Sequence, residues 1–174
     1  MTALYELTRL LTFPGAYVRC FWEQIVCRIC GIPVEDNRYL RGDELSGHID
    51  HELAPTASSA FAICFVPAFF NAIGALMLAV LPVAYVFVYE TTDVLLTLLC
   101  AVSYWLACSL YINSYSLIED AKNMMVKIFV EGNIFQKIIY APGFAFLYIG
   151  SYLERYNVTF LSTLIATVVL VIIL

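Results

Sequence analysis

Long apolar runs, separated by short polar breaks, set out most of this chain. Residues 1–15 alternate apolar and polar positions as an amphipathic lead-in, stopped by Thr12-Phe13-Pro14-Gly15. Pro14 suits the first turn of a following helix, where its missing N–H is not needed. Residues 16–30 form that helix, closed by Gly31 and then Pro33. The helix is apolar but carries Arg19, Glu23 and Arg28, and ionisable groups in such a helix need partners. Residues 32–57 are the one long polar stretch. Their length predicts a segment packed on one membrane face, as a small hairpin or a re-entrant piece.

Beyond it the pattern turns strongly apolar. Residues 58–89 predict a long helix that runs through Pro67 and Pro82. Glu90 to Asp93 make a turn, and residues 94–118 form the next span, polar at its end from Asn113 to Ser116. Residues 121–137, with three lysines, predict a surface helix. Residues 138–153 and 158–174 are two last, short spans, separated by Glu154-Arg155-Tyr156-Asn157.

Composition makes the bilayer the expected solvent. The 174 residues are 62% hydrophobic and 13% charged, where a soluble domain carries about 25% charged residues. Mean hydropathy is +0.84. The expected fold is an all-α, polytopic transmembrane bundle of four to five spans in a single domain. Net charge of −5 and the lack of a basic arm argue against a nucleic-acid partner. Glu6 and Arg9 interrupt the apolar residues of the N-terminus, unlike a signal peptide. Segments 32–57 and 119–137 hold Arg38, Arg41, Lys122, Lys127 and Lys137, so the positive-inside rule places both in the cytoplasm, with the C-terminus. Asn157-Val-Thr159 matches a glycosylation acceptor of a kind common by chance. Of the six cysteines, Cys27 and Cys30 form a single C-x2-C pair, whereas a structural zinc site needs a second pair.

Three polar patches converge on the cytoplasmic side: Arg19 and Glu23, His48 to Glu52, and Asn113 to Asp120. Phe13-Pro14-Gly15 comes first. Gly47-His48-Ile49-Asp50-His51-Glu52 follows, leading into an apolar helix with Pro67 and Asn71. Asn113-Ser-Tyr-Ser-Leu-Ile-Glu119-Asp120-Ala121 ends the series. In order and spacing, over about residues 11 to 174, this resembles a family of small membrane-embedded zinc metalloproteases related to site-2 proteases.

The resemblance is to a degenerate member that lacks the HExxH motif. Where that motif belongs, the chain reads Arg19-Cys20-Phe21-Trp22-Glu23. Arg19 then stands at the first ligand position, Cys20 at the general base and Glu23 at the second ligand. Asn113 replaces a further histidine, and Asp120 keeps its position. Arginine stays protonated and cannot ligate zinc. Without a metal, Asp120 is a buried anion, and Arg19 is expected to bridge it to Glu23.

Two further readings of the same residues stand beside this one. His48, His51, Glu52 and Asp120, with Asp50 and Glu23, could make a divergent metal site; the ordinary reading is a solvated polar loop. Cys20 could act as a nucleophile with His51 as base, or be inert packing. The resemblance implies a catalytically inactive pseudoprotease without cofactor, which binds another integral membrane protein among membrane lipids. The alternatives are a metal-dependent intramembrane hydrolase using zinc at a rearranged site, and a structural small subunit of a membrane complex.

Overall fold

The structure is a computed structural model and describes residues 3–36, 39, 49–88, 93–154 and 156–173. It is all-α apart from one short antiparallel strand pair. The helices are α1 (Ala3–Leu11), α2 (Phe13–Cys30), α3 (Ala57–Val88), α4 (Val94–Ile112), α5 (Ile118–Met125), α6 (Ile134–Glu154) and α7 (Val158–Ile173). A π-helical turn, Val126–Val130, continues α5. Within the polar segment, β1 (Val34–Asp36) pairs antiparallel with β2 (Asp50–His51), as the small hairpin expected there would and a re-entrant piece would not.

Among the described residues, two helices are long and apolar enough to cross a membrane. In α3 the stretch Ala57–Tyr85 has mean hydropathy 2.2, and in α4 Val94–Ile112 has 1.9. The α3 stretch is about 43 Å long, against about 30 Å of bilayer hydrocarbon. Only 33% and 22% of their most apolar windows are buried inside the protein. A core helix of a soluble protein would be mostly buried. Here Leu76, Met77, Val80, Leu95 and Leu98 face outward, as lipid-facing residues do.

The local chemistry explains the helix ends. Pro14 lies in the first turn of α2. Gly31 ends α2 in the left-handed region at φ 67°, and the Ile32 N–H donates to the Cys27 carbonyl at 2.8 Å. The Asp93 carboxylate accepts from the Leu95 N–H at 2.9 Å and starts α4. That helix ends at Ile112, short of the expected 118, because Asn113 turns its side chain back onto the backbone. Its amide donates to the carbonyls of Ser109 and Thr12, both at 2.9 Å.

The region 121–137 differs from the surface helix expected there. Ala121, Met124 and Ile128 are fully buried, and Lys122, Val126 and Val130 look outward. Asn133 and Gln136 then cap each other reciprocally, at 2.9 and 3.1 Å, and begin α6 before residue 138.

Helix directions follow from contacts along their lengths. The chain reverses between α3 and α4: Tyr85 meets Thr97 at 3.0 Å, Ser103 donates to the Leu78 carbonyl at 2.6 Å, and Asn71 to the Asn113 carbonyl at 3.0 Å. Along α4 and α7, Tyr111 faces Ser162 and Tyr104 faces Thr167, so α7 is antiparallel to α4 and parallel to α3. In α6, Tyr140 lies tilted against Phe61 near the start of α3, with ring centroids 4.9 Å apart, and Glu154 reaches Arg9. Thus α6 climbs beside the first half of α3, and α7 continues beside α4. Asn157, at φ 55°, makes the turn between them. The C-terminal end of α7 therefore points away from the polar segment. The expectation that segment 32–57 and the C-terminus share one face is corrected by this geometry.

A buried polar hub fixes the level where these helices meet. Arg9 is 1% exposed and bonds both Asn113 and Glu154, the latter at 2.7 Å. Thr159 donates to the other Glu154 oxygen. Asn71 donates to the Gly15 carbonyl at 3.2 Å as well as to Asn113. Glu154 was expected in the break between the last two spans; it closes α6 and is 4% exposed, with Arg9 as its counter-ion. Asn157 and Thr159 are 5% and 6% exposed, so the glycosylation match is out of an enzyme's reach.

Candidate functional site

Below this hub, three distant stretches of sequence meet. Glu23 comes from α2, on the same face as Arg19 one turn earlier. Asp120 comes from the first turn of α5, which begins after the extended residues 113–117. His51 comes from β2, where the pairing sets it opposite Val34. The backbone bond from the Glu52 N–H to the Pro33 carbonyl, at 3.1 Å, ties that strand end to the residue pair closing α2.

The three side chains are 2, 8 and 3% exposed for Glu23, Asp120 and His51. His51 Nε2 lies 3.5 Å from an Asp120 oxygen and 3.9 Å from a Glu23 oxygen. One ligand atom from each residue lies within 4.8 Å of the other two. On its far side, His51 Nδ1 is 2.8 Å from the Glu52 carbonyl oxygen. A carbonyl only accepts, so Nδ1 carries a proton and Nε2 is the nitrogen turned to the carboxylates. Burial by itself would pull the His51 pKa down. The Glu23 carboxylate, the Glu52 carbonyl and the Asp120 charge outweigh it and push the imidazole up to about 9. Without a metal, His51 is therefore an imidazolium at neutral pH, set between two carboxylates.

Each expected site residue has a definite place. Arg19 is 1% exposed, and its Nη1 donates to the Tyr115 carbonyl at 3.0 Å. Among the described residues, the cation within ion-pair distance of both Glu23 and Asp120 is His51, where Arg19 was expected. Cys20 is wholly buried, its sulfur 3.9 Å from the Tyr39 carbonyl, which suits packing and not nucleophilic attack. Asn113 belongs to the polar hub and not to the carboxylate cluster. The Glu52 side chain is exposed, and only its backbone serves the cluster. Asp50 pairs with Asp36 through the backbone. His48 lies outside the described residues. Cys27 is packed in the apolar core with Cys64 and Ile63.

Sequence reasoning missed Arg9 and Glu154. Their signal is visible in retrospect: each is a charge beside an apolar run, and such charges are kept when they pair. No protein-family model, curated protein or solved structure matches the chain.

Proposed function

We propose that this is a multi-pass membrane protein with the frame of a zinc metalloprotease and no hydrolytic activity, acting by binding another integral membrane protein. The observation that carries this reading is the state of the motif positions on α2. The position of the general base holds Cys20, fully buried, and the first ligand position holds Arg19, bonded to the Tyr115 carbonyl. Hydrolysis by a metal centre needs a base or a polarised water beside an open position. A thiol facing a backbone carbonyl in the apolar core offers neither.

In this reading α2, α6 and α7 join α3 and α4 in the bilayer, as a bundle of four to five helices. Strands β1 and β2 lie on one face, the cytoplasmic one by Arg38 and Arg41 in the sequence between them, and the C-terminal end of α7 on the other. Helices α3, α4 and α7 leave a groove of about 420 Å³ lined by Ala75, Ala79, Ala107 and Thr163 among others. Small residues let the backbone of a partner helix come close in lipid, which supports a transmembrane helix as the partner.

A second reading, a metal-dependent intramembrane hydrolase at a rearranged site, is favoured by the convergence of Glu23, His51 and Asp120. Incubation of zinc-loaded protein with labelled transmembrane peptides separates the two. The expected result is no cleavage above that of a detergent blank. Zinc-dependent cleavage that disappears in Glu23→Gln and Asp120→Asn would establish the hydrolase instead.

A further inference from the structure

We infer that α7 of a second copy of this chain fills the groove between α3, α4 and α7, so that the protein is a two-fold dimer in the bilayer. The first observation is how little of α7 its own chain covers. Beyond Thr159, none of the described side chains of α7 is buried. Leu161 and Ile165 are 50 and 64% exposed. No charge occurs from Val158 to Leu174, so the helix suits lipid or another apolar helix.

The second observation is the form of the groove. Ala72, Ala75 and Ala79 of α3, Ala107 of α4, and Ser162 and Ala166 of α7 line it. Its hydroxyls are already used within the chain: Ser162 donates to the Thr159 carbonyl at 2.8 Å, and Thr163 to the Phe160 carbonyl at 2.7 Å. The groove therefore selects its occupant by shape, and its small residues admit a helix closely. Since α4 packs against both α3 and α7, the three helices fill three corners of a four-helix bundle and leave the fourth open.

A second α7 fits that corner in direction, in side chains and in area. Copies inserted the same way round in a bilayer are related by an axis along its normal, and such an axis keeps the two α7 helices parallel. Ser162 and Ala166 are four apart and share the face that looks into the groove. Across the axis that face meets its own copy at the same level, with small residues on both sides. Helix α4 touches α7 at Thr167 and Ser162. Leu161 and Ile165 lie on the side of α7 away from α4, where they fit against the alanines of the second copy's α3. A helix is about 11 Å across and rises about 1.5 Å per residue, so half the surface of α7 is about 400 Å². With the groove surface it receives, each protomer buries about 600–800 Å², close to the ~800 Å² per partner of a stable interface. This inference rests on the placement of α3, α4 and α7 in the bilayer proposed above, and it names the helix that the groove receives.

The test is disulfide cross-linking in membranes, with mass measured by light scattering in mild detergent. Wild type is expected at twice the chain mass. Ala166→Cys should give a cross-linked dimer on mild oxidation. Val168→Cys, on the face left to lipid, should not, and neither should wild type with its native cysteines. Ala72→Phe and Ala166→Leu add bulk at exposed positions of the groove. Both should run at the monomer mass with unchanged helical content by circular dichroism. A monomeric wild type with no Ala166→Cys product in membranes would overturn the inference. So would equal cross-linking of Val168→Cys, a dimer that persists in both bulky variants, or a monomer that holds a co-purified lipid in the groove. Release of the protein from membranes by alkaline carbonate would overturn the bilayer placement itself, whereas a carbonate-resistant monomer overturns the dimer alone.

Discussion

At the scale of single residues, buried charge governs this molecule. Arg9 and Glu154 are 145 positions apart and form a bridge at 2.7 Å, both almost without solvent contact. Removing one partner of a buried pair leaves the other charge uncompensated, at a cost of about 3–5 kcal/mol. Arg9→Met is therefore expected to lower the thermal stability of the detergent-solubilised protein by that order. Arg9→Met combined with Glu154→Met should recover part of the loss, since it leaves no unpaired charge, although Asn113 and Thr159 each lose a partner. Equal melting of wild type and Arg9→Met would contradict the account of the hub. These residues were hard to read in sequence for a physical reason. Arg9 looks like a charge that spoils an apolar terminus and Glu154 like a loop residue, and only the fold shows that they neutralise each other.

At the scale of elements, the close approach of α2 and α4 decides the packing. The Gly15 N–H donates to Ser109 Oγ at 2.8 Å, and Ser109 Oγ donates on to the Thr12 carbonyl at 2.9 Å. A Cβ added at Gly15 would collide with the backbone carbonyl of Ser109. Backbone cannot swing aside as a side chain can, so Gly15→Ala must push the helices apart and break both bonds. The loss is expected at about 1–3 kcal/mol, the usual range for overpacking. It should be read as a lower melting temperature, with Gly31→Asn as a comparison: nothing lies within 4 Å of a Cβ added there, and asparagine is the side chain that best tolerates its left-handed φ of 67°. This contact also gives the Phe-Pro-Gly triplet a physical meaning: proline starts α2 and glycine admits α4.

The limits of α3 were legible because no charged residue breaks its apolar run: Ala57–Val88 stands against the expected 58–89. The end of α4 and the start of α6 were not, because side-chain capping sets them and hydropathy does not register it. The Asn133-x-x-Gln136 pair was the available signal for α6.

At the scale of the whole molecule, chain direction and the cluster were the least legible features. Two short apolar runs with a polar break between them predict a hairpin of antiparallel spans. The buried ion pair turns that break into a joint, and α6 and α7 follow one another along the bundle instead. Likewise, pattern reasoning put carboxylates and histidines into three polar patches, but it selected Arg19 as the counter-ion. The strand pair, which turns His51 onto α2 and α5, has only three and two residues and no clear alternation to reveal it.

The central claim is that strand β2 is held against α2 and α5 by the buried cluster of Glu23, His51 and Asp120. A double-mutant cycle on His51→Gln and Asp120→Asn, read by thermal unfolding, tests it most directly. Residues sharing a network couple by about 0.5–3 kcal/mol, so the double variant should be destabilised by clearly less than the sum of the single ones. Losses that simply add would contradict the account, because they would place His51 and Asp120 in separate environments.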